Sequence, residues 1–127
     1  MTWSLDARIP LHLASPEEAA ARIEAARQAG VKLALLIPES LQGVATQGLP
    51  SAAFAPDGPR HAAACACCAG RPPVSAALDR LFQARVRGTA PWFDSVLAVV
   101  TDTTCRAEVE TALMHDPLTQ ARFRPGF

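Results

Sequence analysis

An α/β fold, a small three-layer domain with a mostly parallel sheet flanked by helices, is what this sequence predicts. Three observations carry that expectation. A strand, a capped helix and a second strand follow one another near the start, which is the βαβ unit of about thirty residues. The second of those strands, Val31 to Pro38, is apolar almost throughout, as a strand buried on both faces of a parallel sheet must be. An amphipathic stretch from Val74 to Arg87 and an apolar run from Ser95 to Thr101 then continue the alternation of helix and strand. The 127 residues, half of them hydrophobic, suffice for one packed core, so the whole of 1–127 is read as a single domain.

Ile9, Leu11 and Leu13 alternate with Pro10 and His12, giving a short strand from Arg8 to Ala14 in which Pro10 suits a strand start or an edge. His12, on the other face of that strand, has the side chain of a metal ligand, but a structural role is the ordinary one. Ser15-Pro16-Glu17-Glu18 starts a helix: Ser15 caps, Pro16 fits the first helical position, and Glu18 completes a capping box. Ala19, Ala20, Ile23 and Ala26 form its apolar stripe, and Gly30 ends it. From Glu39 to Arg60 the glycines and prolines predict a long loop. A short strand over His61 to Ala66 is expected to follow. The helix from Val74 to Arg87 turns Val74, Leu78, Leu81, Phe82 and Val86 inward and stops at Gly88. Trp92 and Phe93 are expected as core anchors, and Arg80, Arg85 and Arg87 as a solvated helix face. Asp102 caps a helix that buries Val109, Ala112 and Leu113 and ends near Met114. Asp116-Pro117 starts a last helical turn, and Arg124 to Phe127 is expected to be a frayed tail.

Charge and segment length exclude several function classes. Twelve basic and twelve acidic side chains balance, so no general field attracts nucleic acid or an anionic membrane. No apolar stretch approaches membrane-spanning length, and Met1 to Asp6 lack the features of a signal peptide. A cytoplasmic location is expected, where four cysteines point to thiols, metal binding or redox chemistry rather than a disulfide framework.

The chemistry concentrates in His61-Ala-Ala-Ala-Cys65-Ala-Cys67-Cys68-Ala-Gly70, which holds three of the four cysteines. Thiolates are soft ligands for zinc, and structural zinc takes a tetrahedron of them. Cys65 and Cys67 can reach one ion from a turn. Cys68 joins them only if the backbone turns beside it, which Gly70 assists. His61 is a candidate local ligand. Glu39 follows the carboxyl end of a strand, where open α/β sheets place their sites. Cys105, after another strand, is a further candidate, with a thiol that a helix terminus would acidify. The same residues also suit other duties. Free cysteines are commonly buried as small hydrophobes. A redox protein would use Cys65 and Cys68, or a strained vicinal Cys67–Cys68 pair. A cysteine hydrolase lacks a Cys-His-acid trio.

From Cys65 to about Arg124 the chain resembles the CobW-like metal-chaperone GTPases. Ala64-Cys65-Ala66-Cys67-Cys68 stands where that family has Gly-Cys-x-Cys-Cys. The helix from Val74 to Arg87, the strand led by Phe93-Asp94, Asp102-Thr103-Thr104-Cys105 and Asp116-Pro117-Leu118 with Ala121-Arg122-Phe123-Arg124 follow in the family's order. The resemblance implies a P-loop-type topology, metal held by Cys65, Cys67 and Cys68, and Glu39 or water filling further positions. It breaks at the first helix. Where the family has a Gly-x-x-x-x-Gly-Lys-Ser/Thr phosphate loop, this chain has Ala14-Ser-Pro-Glu-Glu-Ala-Ala-Ala21, without glycine or lysine and with two carboxylates that repel phosphate. The expectation is therefore a zinc-binding accessory protein that neither hydrolyses nor binds GTP. Its partners would be a metal-receiving client or an intact homologous GTPase. The competing class is an interaction protein that forms a homodimer or pairs with such a GTPase, and redox chemistry ranks third.

Overall fold

The computed structural model describes residues 8–41, 48–55 and 72–126. In chain order these form β1 (Ile9–Ala14), α1 (Pro16–Gln28), β2 (Leu33–Pro38), a single 3-10 turn (Glu39–Leu41), β3 (Ser51–Phe54), α2 (Pro73–Arg87), β4 (Ser95–Val99), α3 (Thr103–His115), α4 (Pro117–Arg122) and β5 (Phe123–Pro125). The strands make one five-stranded sheet in the order β3-β2-β4-β1-β5. Every pairing in it is parallel.

The strand order fixes where the helices go. The step from β1 to β2 crosses the sheet in one direction, and the steps from β3 to β4 and from β4 to β5 cross in the other. Right-handed crossovers then put α1 on one face and the later helices on the opposite face. The two cores agree. On one side Ile23 of α1 packs with Leu33, Leu35 and Ile37 of β2 and Leu97 and Val99 of β4. On the other, Ala34, Leu36, Val96 and Ala98 meet Val74, Leu78 and Leu81 of α2 and Val109 and Leu113 of α3. The alternation within β2 and β4 is the period-two geometry of a strand, seen here with both faces buried. A buried Leu, Val or Phe contributes about 1.5–3 kcal/mol. The second core holds more of them, so it supplies most of the stability.

Local signals act where the sequence puts them. Ser15 Oγ accepts from the Glu18 N–H at 3.3 Å and the Glu18 carboxylate accepts from the Ser15 N–H at 3.1 Å, completing the capping box. Gly88 ends α2 with φ of +74°, a conformation that glycine takes without strain. Asp102 and Asp116 cap α3 and α4 through their carboxylates.

The structure corrects four expectations. The stretch Glu39 to Arg60 is not loop throughout, because β3 lies within it and pairs with β2 from Leu35↔Ser51 to Pro38↔Phe54. The tail is not frayed: β5 pairs with β1, Phe123 is buried, and the Gly126 N–H donates to the Leu11 carbonyl at 2.8 Å. Trp92 is 52% exposed while Phe93 is fully buried, so only one of the two is a core anchor. Val86, placed on the inner face of α2 by spacing, is exposed. The strand expected over His61 to Ala66 lies outside the described residues.

Candidate functional site at the carboxyl edge of the sheet

In a parallel sheet the loops that leave the strands' carboxyl ends share one edge, and the crevice opens where neighbouring strands send their chains to opposite faces. Here β1 feeds α1 on one face while its neighbour β4 feeds α3 on the other. The two loops are tied together by the Val100 N–H, which donates to the Ala14 carbonyl at 2.9 Å. The edge accordingly carries Ser15, Glu17 and Glu18 after β1, Glu39 after β2, and Thr101 to Thr104 after β4. The connection that holds the cysteines leaves this edge after Phe54 and re-enters at Pro72, where α2 begins.

The loop after β1 supplies its own anion. Glu18 folds back so that one carboxylate oxygen accepts from both the Ser15 N–H at 3.1 Å and the Ser15 hydroxyl at 3.0 Å. Those bonds, chiefly the one from the Ser15 backbone, hold the Glu18 carboxyl below the ordinary carboxylate range, with Arg22 adding a smaller pull. A fixed anion therefore sits at the helix end that a phosphate loop would use.

Glu39 opens the 3-10 turn directly after β2 and is exposed, with its carboxylate available at the edge. Cys105 takes the opposite role. Its residue is fully buried, packed in the core with Val109 and the strands beneath. Asp102 Oδ1 accepts from the Cys105 N–H at 2.8 Å, which closes the first turn of α3 and turns the side chain inward. Burial pushes the Cys105 thiol above its usual range, reinforced by Asp102 and Glu108, while hydrogen bonds with Thr101 oppose the rise. The expected acidification by the helix terminus is thus overturned: desolvation outweighs the dipole. Among the described residues no group of three or more His, Cys, Asp or Glu is placed to hold a metal ion. Cys65, Cys67, Cys68 and His61 lie outside the described residues. His12 is half-buried with its imidazole against the Gly126 backbone, as a structural residue would be.

No family model, curated protein or solved structure matches this chain. The functional reading therefore rests on the residues themselves. No helix among the described residues is long and apolar enough to cross a membrane.

Sequence reasoning passed over one conspicuous feature, at the other edge. Trp92 is held outside the core by its neighbours: Arg85 Cζ lies 3.5 Å from its ring centroid, and its indole N–H donates to Asp94 Oδ1 at 3.1 Å. Arg85 also donates to the Phe93 carbonyl at 2.9 Å. The available signal was the spacing Arg85…Trp92-Phe93-Asp94, a cation and an anion bracketing an aromatic pair.

Proposed function

We propose that this chain is a metal-handling accessory protein that binds zinc through Cys65, Cys67 and Cys68 and works without hydrolysing GTP. One observation carries the reading: the cysteine-bearing connection departs from and returns to the sheet edge that also presents the exposed carboxylate of Glu39. Thiolates supplemented by a carboxylate would make a ligand set suited to a thiophilic divalent ion. With three thiolates, one position stays open to water, Glu39 or His61, which suits a carrier or sensor better than a closed structural site. The capping box at Ser15 supports the absence of nucleotide chemistry, since it uses the helix end where phosphate would bind. Cys105 is left out of the ligand set because it serves the core. A metal-receiving client, or an intact GTPase that resembles this chain, is the partner such a carrier would serve.

The test is metal content. Protein purified without chelator, and reduced protein offered zinc, should each bind about one ion per chain. Replacing Cys65, Cys67 and Cys68 with serine should abolish uptake, and Cys105→Ala should leave it intact. Fully reduced, folded protein that takes up no zinc would sink the reading and favour an interaction protein. A reversible Cys65–Cys68 disulfide with a defined potential would favour redox chemistry instead.

A further inference from the structure

At the amino edge the chain presents a surface with the composition of a docking groove. Trp92 is 52% exposed and Val31 41% exposed. With Leu49, Pro50 and Pro91 they line a groove of about 410 Å³. This groove continues across Pro50 and Pro91 into a second one of about 700 Å³, which runs beside the edge strand β3 and α2 and is also lined by Glu39 and Arg80. The two together follow the edge strand β3, the kind of border along which an extended segment docks.

Two properties choose the occupant. First, the Trp92 ring is already fixed. Arg85 covers it at 3.5 Å and Asp94 holds its indole N–H at 3.1 Å, so little freedom is lost when something lies against it. Tryptophan and arginine are among the residues enriched where binding energy concentrates in protein interfaces. Second, the charged groups described in the 410 Å³ groove, Arg27 and Lys32, are both cations. Arg27 is bound to Glu24 at 3.1 Å. Lys32 lies exposed at the start of β2, and its backbone carbonyl is engaged by the Asp94 N–H at 2.8 Å. That bond fixes the Lys32 backbone beside the Trp92–Asp94 pair while its ammonium projects from an exposed side chain. An apolar trough with a cationic rim complements a segment that is apolar and acidic.

We infer that this groove binds an extended peptide segment of a partner protein, one that sets a bulky apolar side chain on Trp92 and an adjacent Asp or Glu carboxylate on Lys32. The apolar side chain supplies desolvation against the ring and the prolines, and the carboxylate supplies orientation and discrimination against basic segments. The inference does not depend on the cysteines, although the second groove is also lined by Glu39, a proposed supplement to the zinc ligands.

The experiment uses the full chain labelled with ¹⁵N and two synthetic peptides, one alternating Leu and Phe with Glu, the other identical but with Lys for Glu. The Trp92 indole resonance is assigned from its absence in Trp92→Phe. The acidic peptide should shift that resonance saturably and the basic peptide should not. Trp92→Ala and Lys32→Glu should each weaken the acidic peptide by about tenfold or more. Lys32→Glu should in addition gain affinity for the basic peptide, a reversal that loss of folding cannot produce. Two results would overturn the inference: equal response to both peptides, or no response of Trp92 to either. Concentration-dependent dimerisation abolished by Trp92→Ala would also overturn it, assigning the groove to a second copy of the chain.

Discussion

Cys105 shows how one residue's surroundings decide its chemistry. A cysteine in the first turn of a helix is usually a candidate for a reactive thiolate, but here the side chain points into the core and burial raises its titration above the usual thiol range. The sign of the pH effect follows. A folded-state value above the unfolded one means that the contribution is fully present below the ordinary thiol range and is lost as pH rises through the folded value. Thermal stability should therefore fall through the alkaline range, and Cys105→Ala should flatten that fall in a pH series of melting curves. Cys105 should also be the slowest of the four cysteines to react with a thiol reagent under native conditions. Glu18 behaves in the opposite sense. Its lowered value makes the capping box contribute above the ordinary carboxylate range and fail as pH drops through the folded value. Ser15→Ala should cost about 1 kcal/mol in a denaturant titration.

The elements differ in how firmly they are held. Ile23 is the buried residue of α1, whereas α2 buries Val74, Ala77, Leu78 and Leu81. Hydrogen exchange should find α1 opening well before α2 and β4. Truncation of its single anchor, Ile23→Ala, should cost about 2 kcal/mol or more and release the helix preferentially. β5 depends on contact at both ends. Phe123 meets Phe82 edge-on with centroids 6.3 Å apart, Arg122 ion-pairs with Asp79, and a Cβ on Gly126 would stand 2.6 Å from the His12 ring. Gly126→Ala should force the imidazole aside and lower the denaturation midpoint, an effect that His12→Ala in the same chain should relieve.

Some elements are written in local chemistry and others arise only through pairing and burial. The ends of α1, α2, α3 and α4 were legible because capping is local chemistry: Ser15, Gly88, Asp102 and Asp116 each act within one turn. β2 and β4 were legible because both faces are apolar. β3 was not, because Ser51-Ala-Ala-Phe54 is short and carries small side chains. It becomes a strand through its pairing with β2. β5 was missed for the same kind of reason: Arg124 and Pro125 resemble a loose tail, and only the burial of Phe123 against the sheet makes a strand of them. Of the candidate site, Glu39 stands where the strand end put it. The expectation of an acidified Cys105 thiol came from reading the helix terminus without the core below it.

For the whole molecule, the parallel sheet presents different side chains at its two edges, and the groove beside β3 reaches Glu39. The carboxyl edge gathers Glu39 and the ends of the cysteine connection, and the amino edge carries Trp92, Val31 and Lys32. Zinc uptake and peptide binding should therefore be separable. The serine triple variant at Cys65, Cys67 and Cys68 should retain the Trp92 response to the acidic peptide, and Trp92→Ala should retain zinc, both measured on the same preparations.

The place of β4 between β1 and β2 has a consequence for how the chain is made. β1 and β2, both made before β4, have no pairing with each other; β4, encoded some distance later, bonds to both, from Leu11↔Val96 on one side and Leu33↔Ser95 on the other. Until it arrives, the nascent chain holds apolar strands with unpaired edges, and closing the sheet requires contacts far apart in sequence, which slows folding. A fragment ending before Pro72 should accordingly remain unstructured alone. Mixed with a fragment from Pro72 onward, it should acquire structure, because the missing keystone strand is then supplied in trans.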